Sequence, residues 1–425
     1  MKNKKALALL FTANGVSGFA QGVTLLSVPW YFAQQDLSNR FNLAYAVITF
    51  LTLFWGLVAG TIVDRFPRKR VFLGTNFTEG LVVGSVALFG WYAGDLPEIL
   101  ILVVFGITLF GFYIHYPNLY AFAQEISPPE QYTRITSWIE IVGQSTNVIA
   151  GALAAVLLEG VDYQTVLELS GSSIPIDISI PKWTIYEVFT LDACTYGLSL
   201  ILIGAMQYVP YQEREVETGT FIKRLRSGFH YLMAHKLVLL FGIFSYSVFV
   251  VMLVKLNATM PIYIDKHLNE GGDVYGIMEV LYALGALSAG IFISSLVRGM
   301  KVTKAIIFLL VLATAALWLS AFTQSTRIFF AVGLMIGFAN AGARVLRLTY
   351  IFNHVPNYVV GRVNSLFSLT NVLMRTIFIS VFSFSWFTEG SNITWAYFIM
   401  GCFTLFSAVV LTVKYKSLVS EQTIE

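Results

Sequence analysis

Twelve stretches of the chain are apolar and about twenty residues or longer, enough to cross roughly 30 Å of hydrocarbon as helices. They cover 7–33, 42–63, 71–93, 98–123, 134–158, 184–209, 236–264, 274–297, 304–322, 327–352, 362–387 and 391–413. Backbone N–H and C=O groups find no water in hydrocarbon, so only helices and closed barrels cross a bilayer. A barrel needs short alternating segments, and these are long and continuously apolar. The expectation is an all-α membrane protein with twelve transmembrane helices. Composition agrees, with 56% hydrophobic and 12% charged residues, outside the range of soluble domains. The first stretch opens on the basic MKNKKALALL, as a signal peptide would. Its apolar run continues to about Trp30 without a small-residue cleavage site, so it reads as a retained span.

Orientation follows from the basic residues. Of the 27 Lys and Arg, nineteen fall on one set of loops and four (Arg40, Lys182, Lys266, Arg327) on the other. The remaining four, Lys255, Arg344, Arg347 and Arg375, lie within spans. The positive-inside rule then places both termini and the 210–235 loop in the cytoplasm. The expected location is the cell membrane, of the bacterial inner-membrane kind, with the lipid bilayer as the surrounding partner. A net charge of +3 leaves no nucleic-acid footprint. Cys194 and Cys402 sit far apart in apolar segments and read as buried inert thiols, not as a disulfide framework.

A duplication is visible in the chain. Sliding it by 228 residues lays PPEQYTRITSWIEI (128–141) over PNYVVGRVNSLFSL (356–369), matching Pro128 with Pro356, Arg134 with Arg362 and Ser137 with Ser365. Each match sits at the cytoplasmic start of an outgoing helix. The expected organisation is two pseudo-symmetric six-helix halves, 1–209 and 236–425, joined by a cytoplasmic linker at 210–235. The sizeable external segment, 159–183, contains IPIDISI, which reads either as a short strand or hairpin or as a partly ordered loop.

The loop after the second span reads GTIVDRFPRKR (60–70). A small residue there lets helices approach, an acid at the helix end accepts bonds from a neighbouring helix, and the basic cluster anchors the cytoplasmic face. Gly60, Asp64, Arg65, Arg68 and Lys69 resemble the loop motif of the major facilitator superfamily, with Pro67 where that family usually has glycine. The resemblance covers the whole chain through the twelve spans, the two halves and the basic central loop. Within that superfamily, AFAQEISPPEQYTRITSWIEIVGQSTNVIAGALAAVL looks like the macrolide-efflux type of drug/proton antiporter. It departs from the antiporter motif in having Gly143 and Gly151 but no proline. The resemblance implies export of drugs by alternating access.

Polar residues inside the spans form stripes. In the first span Asn14, Ser17 and Gln21 share a face; in the fifth Ser137, Glu140, Gln144 and Asn147; in the tenth Asn340, Arg344 and Arg347; in the eleventh Asn364, Ser368, Asn371 and Arg375. A charge at a helix centre costs on the order of 2.5–3.5 kcal/mol on insertion scales, so such residues face protein or water. Since the first, fourth, seventh and tenth helices line the cavity in the family resembled, Asn14, Gln21, His115, Asn118, Lys255, Asn340, Arg344 and Arg347 are the expected substrate lining. Glu140, Gln144, Asn147, Asp192, Asn371 and Arg375 are the expected gating and coupling residues. Arg344, and then Arg347, would pair with Glu140 in one transport state and separate in the other. Proton coupling needs an acid that moves between a dry surrounding and a nearby cation, and Glu140 and Asp192 are the candidates. A structural alternative stays open, because the four intramembrane cations face four acids, Glu79, Glu140, Asp192 and Glu279, and all could be paired. Arg347 could also snorkel to the cytoplasmic interface.

No serine elbow, zinc motif, phosphate-cradling loop or metal-spaced cysteine pair occurs, so an enzyme is not expected and no cofactor or metal is implied. The leading expectation is a proton-coupled exporter of drugs or other amphiphilic small molecules, acting as a monomer. The alternative is an anionic or zwitterionic solute (a siderophore, carboxylate or lysophospholipid) held by the basic residues of the second half. A non-transporting receptor would gain little from costly buried charges.

Overall fold

The computed structural model describes residues 3–128, 131–160, 180–210, 221–296 and 298–420. Among these residues twelve helices have the length and hydropathy of membrane spans. In order they are Lys4–Gln34, Ser38–Arg65, Arg68–Ala93, Glu98–Glu125, Tyr132–Glu159, Ile185–Gly204, Lys236–Leu268, Gly272–Leu296, Val302–Phe322, Thr326–His354, Asn357–Phe382 and Ile393–Val413. Every expected span is present, and the end shifts have local causes. Pro356 caps the eleventh helix, which therefore starts at Asn357 and ends at Phe382. The sixth starts after a capping box in which the Thr184 N–H donates to Glu187 Oε2 at 2.6 Å. The IPIDISI stretch lies almost wholly within 161–179, outside the described residues.

The chain divides into two compact units. The first holds Met1–Asp36, Phe54–Glu217 and Glu270–Val280, and the second holds Leu37–Leu53, Thr218–Asn269 and Leu281–Glu425. These bounds differ from those of the two halves expected from the sequence: the start of the second span belongs with the second unit, and the start of the eighth with the first.

In the first unit the third helix packs on the sixth, and the first helix on the fifth and sixth. Their core is built of Leu10, Phe72, Leu119, Phe122 and Ile139. The start of the eighth helix crosses the fifth where both carry glycine: a Cβ on Gly276 would run into the carbonyl oxygen of Gly151. Small residues at such a crossing let dispersion contacts form between backbones, which is how helices associate where lipid offers no hydrophobic drive.

In the second unit the ninth helix packs on the tenth and twelfth around Phe241, Leu309, Leu310 and Leu346. The eighth and tenth helices meet through a reciprocal glycine pair. A Cβ on Gly337 would overlap the carbonyl oxygen of Tyr282, and one on Gly285 that of Leu334. The seventh helix is widened into π turns at Lys255–Thr259 and Tyr263–Leu268, on either side of Pro261. A proline inside a helix removes one N–H and crowds the carbonyl a turn earlier, and a wider turn relieves both. The side chain of Asn42 donates to the carbonyl of Ala258 at 3.1 Å, tying the start of the second helix to this segment.

The linker is not wholly irregular. Phe221–Ala234 is a helix packed on the eleventh, where Arg362 Nη1 donates to Ser227 Oγ at 3.1 Å and the Tyr231 hydroxyl to the carbonyl of His354. Cys194 and Cys402 are free and exposed. Their expected burial is corrected: an apolar stretch in a span does not say which of its faces meets lipid, and both thiols lie on exposed faces.

Candidate functional site

The first unit gathers a polar cluster from three helices. In the first helix Gln21 and Thr24 lie one turn apart; in the sixth, Asp192 and Tyr196 do the same; Glu79 comes from the third. Thr24 Oγ1 donates to Asp192 Oδ2 at 2.8 Å, and Asp192 Oδ1 is buried without a hydrogen-bond partner. Gln21 Nε2 donates to Tyr196 Oη at 2.9 Å and to Glu79 Oε2 at 3.4 Å, and the Tyr196 hydroxyl also bonds the Glu79 carboxyl. Asp192 is 0% and Glu79 6% exposed. Among the described residues, both carboxyls are held by neutral groups. Their pairing with the intramembrane cations, open from the sequence, is not what the described residues show.

A turn or more along the first helix from Gln21, Asn14 Oδ1 lies 2.7 Å from His115 Nε2, so that nitrogen carries the proton when the amide oxygen accepts. The His115 ring stands edge-on to Phe72 at 5.2 Å. Asn118 is 0% exposed and its amide donates to the carbonyl of Arg68 at 3.0 Å. The Asn118 amide thus holds the start of the third helix, while its Oδ1 is buried without a partner.

The loop motif is built around helix ends. Pro67 caps the third helix, and Lys69 Nζ donates to the carbonyls of Gly204 and Met206 at 2.8 and 2.7 Å, closing the end of the sixth. Arg65 is exposed and Arg68 half-buried. Gly60 is corrected as a close-approach residue, because a Cβ there would meet nothing within 4 Å. The Asp64 side chain lies outside the described residues. Lys69→Met is expected to lower stability by about 1–2 kcal/mol, the usual worth of charge-assisted bonds to helix-end carbonyls. A thermal unfolding scan in lipid nanodiscs reads this, and an unchanged midpoint would show that the cap is not formed.

In the second unit, Arg347 is 4% exposed, lies 3.5 Å over the Tyr246 ring and donates to the carbonyl of Ser245 at 3.3 Å. It does not snorkel: the ring and carbonyl hold it inside the protein. Lys255 is 5% exposed, with Nζ 5.2 Å from the Phe329 ring centre and 3.5 Å from Met260 Sδ. Asn340 donates to the Tyr282 hydroxyl at 2.7 Å. Arg344 and Arg375 are half-buried, and Asn371 is buried with its Nδ2 lacking a partner. In the first unit Gln144 has a buried Oε1 without a partner, while Asn147 is exposed. The Glu140 side chain, expected to partner Arg344, lies outside the described residues.

Sequence reading passes over Thr24 and Tyr196 and offers Glu79 only as a possible ion-pair partner of an intramembrane cation. The signal was present as i, i+3 and i, i+4 polar pairs in the first and sixth helices, yet nothing local says that these faces meet. Gly111 was missed for the same reason. A Cβ there would overlap the Glu79 carboxylate, so glycine is what lets that acid lie against the fourth helix.

Twelve apolar helices of membrane-spanning length define a polytopic membrane protein. The chain belongs to the Major Facilitator Superfamily, whose family model matches residues 10–379 and 256–423. Over 212 residues it is 28% identical to the multidrug efflux pump Tap of Mycobacterium tuberculosis, in a match covering 48% of this chain and 45% of the pump. The chain thus spans about half the length of the curated relatives it matches. Among solved structures it resembles a bacterial homologue of the human lysosomal transporter Spinster, with TM-score 0.70, 12% identity and coverage of 99% and 98% of the two chains. It also resembles the nucleoside transporter NupG, with TM-score 0.71, 12% identity and coverage of 97% and 99%. A bacterial homologue of the iron transporter ferroportin has TM-score 0.69, 17% identity and coverage of 97% and 98%. At these identities the structural likeness speaks for the fold alone.

Proposed function

We propose that this transporter exports amphiphilic small molecules in exchange for protons. It acts by alternating access, as a monomer in the cell membrane, with both termini and the linker in the cytoplasm. The observation that carries the reading is the Gln21–Thr24–Glu79–Asp192–Tyr196 cluster. It holds two carboxyls that are 6% exposed or less, and among the described residues their partners are all neutral. A carboxyl locked to a cation is poorly suited to cycling a proton. One held by neutral donors binds and releases it as its access to water changes. The likeness to a multidrug efflux pump supports export and an amphiphilic cargo.

The state of the basic residues counts against an anionic cargo held by all four. Lys255 and Arg347 are engaged by Phe329, Met260, Tyr246 and the Ser245 carbonyl. The test is transport by the purified protein in proteoliposomes under an imposed pH gradient. Collapse of the gradient on adding a lipophilic dye substrate, matched by movement of the dye, is the expected result. Dye movement that ignores the gradient would remove proton coupling, and absence of dye movement beside uptake of a carboxylate or phosphate solute would remove the amphiphile reading.

A further inference from the structure

Within the first unit, the second, third and fourth helices enclose a cavity of about 350 Å³, within the size range of small-molecule sites. Its walls are apolar and aromatic, with Trp55, Ile62, Phe66 and Phe110 among them. Two of these walls are fixed to each other: Trp55 Nε1 donates to the carbonyl of Phe110 at 2.8 Å, and their rings lie 5.4 Å apart. Glu79 also lines the cavity.

The Glu79 carboxyl is placed there by three neighbours. Gln21 and Tyr196 bond it from the side of the first and sixth helices, and Gly111 leaves the space against the fourth into which Oε1 projects. A carboxylate offers about four acceptor positions, so these two donors leave acceptor capacity toward the cavity. Arg70 also lines the cavity, but it is exposed at the start of the third helix. Nine residues separate it from Glu79, about 13 Å along a helix. The acid therefore sits on the hydrocarbon side, away from the basic end.

The opening has a direction. Gly74 and Thr78, both exposed and both lining the cavity, continue the face of the third helix that carries exposed Phe77, Leu81 and Leu88. An apolar exposed stripe on a membrane span is its lipid-facing side. The exposed lining of the cavity thus includes a lipid-facing stretch of the third helix, and its buried lining includes an acid.

We propose that this cavity is a lateral binding site for amphiphilic organic cations, whose ammonium group meets Glu79 while the apolar body lies along Trp55 and Phe110. The site takes its occupant from the bilayer, where such molecules concentrate. Describing that occupant as cargo rests on the efflux reading above; the binding itself does not.

The probe is dansylated diaminopentane, with its N-acetylated, uncharged form as the control. It is titrated onto the protein in nanodiscs with no pH gradient, and energy transfer from tryptophan to dansyl is followed. The wild type is expected to bind the amine at least about tenfold more tightly than the acetylated form, the scale of one charge-assisted bond. Glu79→Gln is expected to erase that difference while leaving the acetylated form unaffected. Gly74→Leu, at a position where a Cβ meets nothing within 4 Å, fills the mouth without adding a tryptophan donor and abolishes saturable transfer to both probes; an unchanged thermal midpoint confirms its fold. Equal binding of amine and acetylated probe, or an amine preference that survives Glu79→Gln, overturns the proposal. So does displacement of both probes by phospholipid alone, which makes the cavity an acyl-chain site. Because no gradient is present, these outcomes are separate from failure of proton-coupled transport.

Discussion

Asp192→Asn is expected to abolish proton-driven transport while leaving the protein folded. The substitution keeps shape and size and keeps an oxygen to accept the Thr24 hydroxyl, which donates at 2.8 Å in the parent. What it removes is the ability to take up and release a proton at a position that is 0% exposed. The new amide directs its N–H groups to where Oδ1 has no partner, and an unsatisfied buried donor costs about 1–3 kcal/mol. A modest fall in thermal midpoint therefore accompanies the loss. Gradient-driven dye movement in proteoliposomes is expected to drop to the level of protein-free vesicles, with downhill exchange in the absence of a gradient retained. Asp192→Glu, which keeps the carboxyl, should recover part of the driven rate. Wild-type coupling in the asparagine variant would show that the proton travels by another group.

The second large effect is on stability. Gly337→Leu is expected to destabilise the second unit by about 1–3 kcal/mol or more, the range for forcing added methylenes into a close-packed contact. The obstacle is backbone: a Cβ at 337 overlaps the Tyr282 carbonyl oxygen and lies 3.0 Å from the Ala286 nitrogen. Side chains can rotate away from an intruder, whereas a helix backbone can only translate. Moving the tenth helix from the eighth also strains the Asn340–Tyr282 bond, 2.7 Å long and one turn further on. Gly290→Leu is the matched control, since a Cβ there meets nothing within 4 Å. Equal unfolding midpoints for the two leucine variants would mean that the glycine crossing carries no packing.

The membrane spans were legible because hydrocarbon imposes a local rule: each crossing segment must be long, apolar and helical over its own length. That rule needs no knowledge of neighbours, and it located all twelve helices to within a few residues. The start of the eleventh helix shows its resolution, since Pro356 rather than hydropathy sets that boundary. The site was only partly legible. Asp192 and Gln21 were singled out as polar residues in apolar runs, but their partners Thr24, Tyr196 and Gly111 look ordinary in sequence. Asn118 and Arg347 are conspicuous in sequence as polar groups in spans, but what they meet, the Arg68 carbonyl in one case and the Tyr246 ring in the other, is not.

Alone, then, the sequence determined an all-helical chain of twelve spans and the loop motif of its family, because these are written in length, hydropathy and short spacing. Tertiary structure alone decided which polar residues meet. Thr24 and Asp192 are 168 positions apart, and Gln21 and Glu79 are 58 apart. It also decided which glycines are crossings, as at Gly337, and which are open, as at Gly60. The physical reason is that lipid constrains each helix singly, whereas hydrogen bonds and close packing between helices depend on the rotation and register of both partners. Those are properties of the pair, and neither segment encodes them by itself.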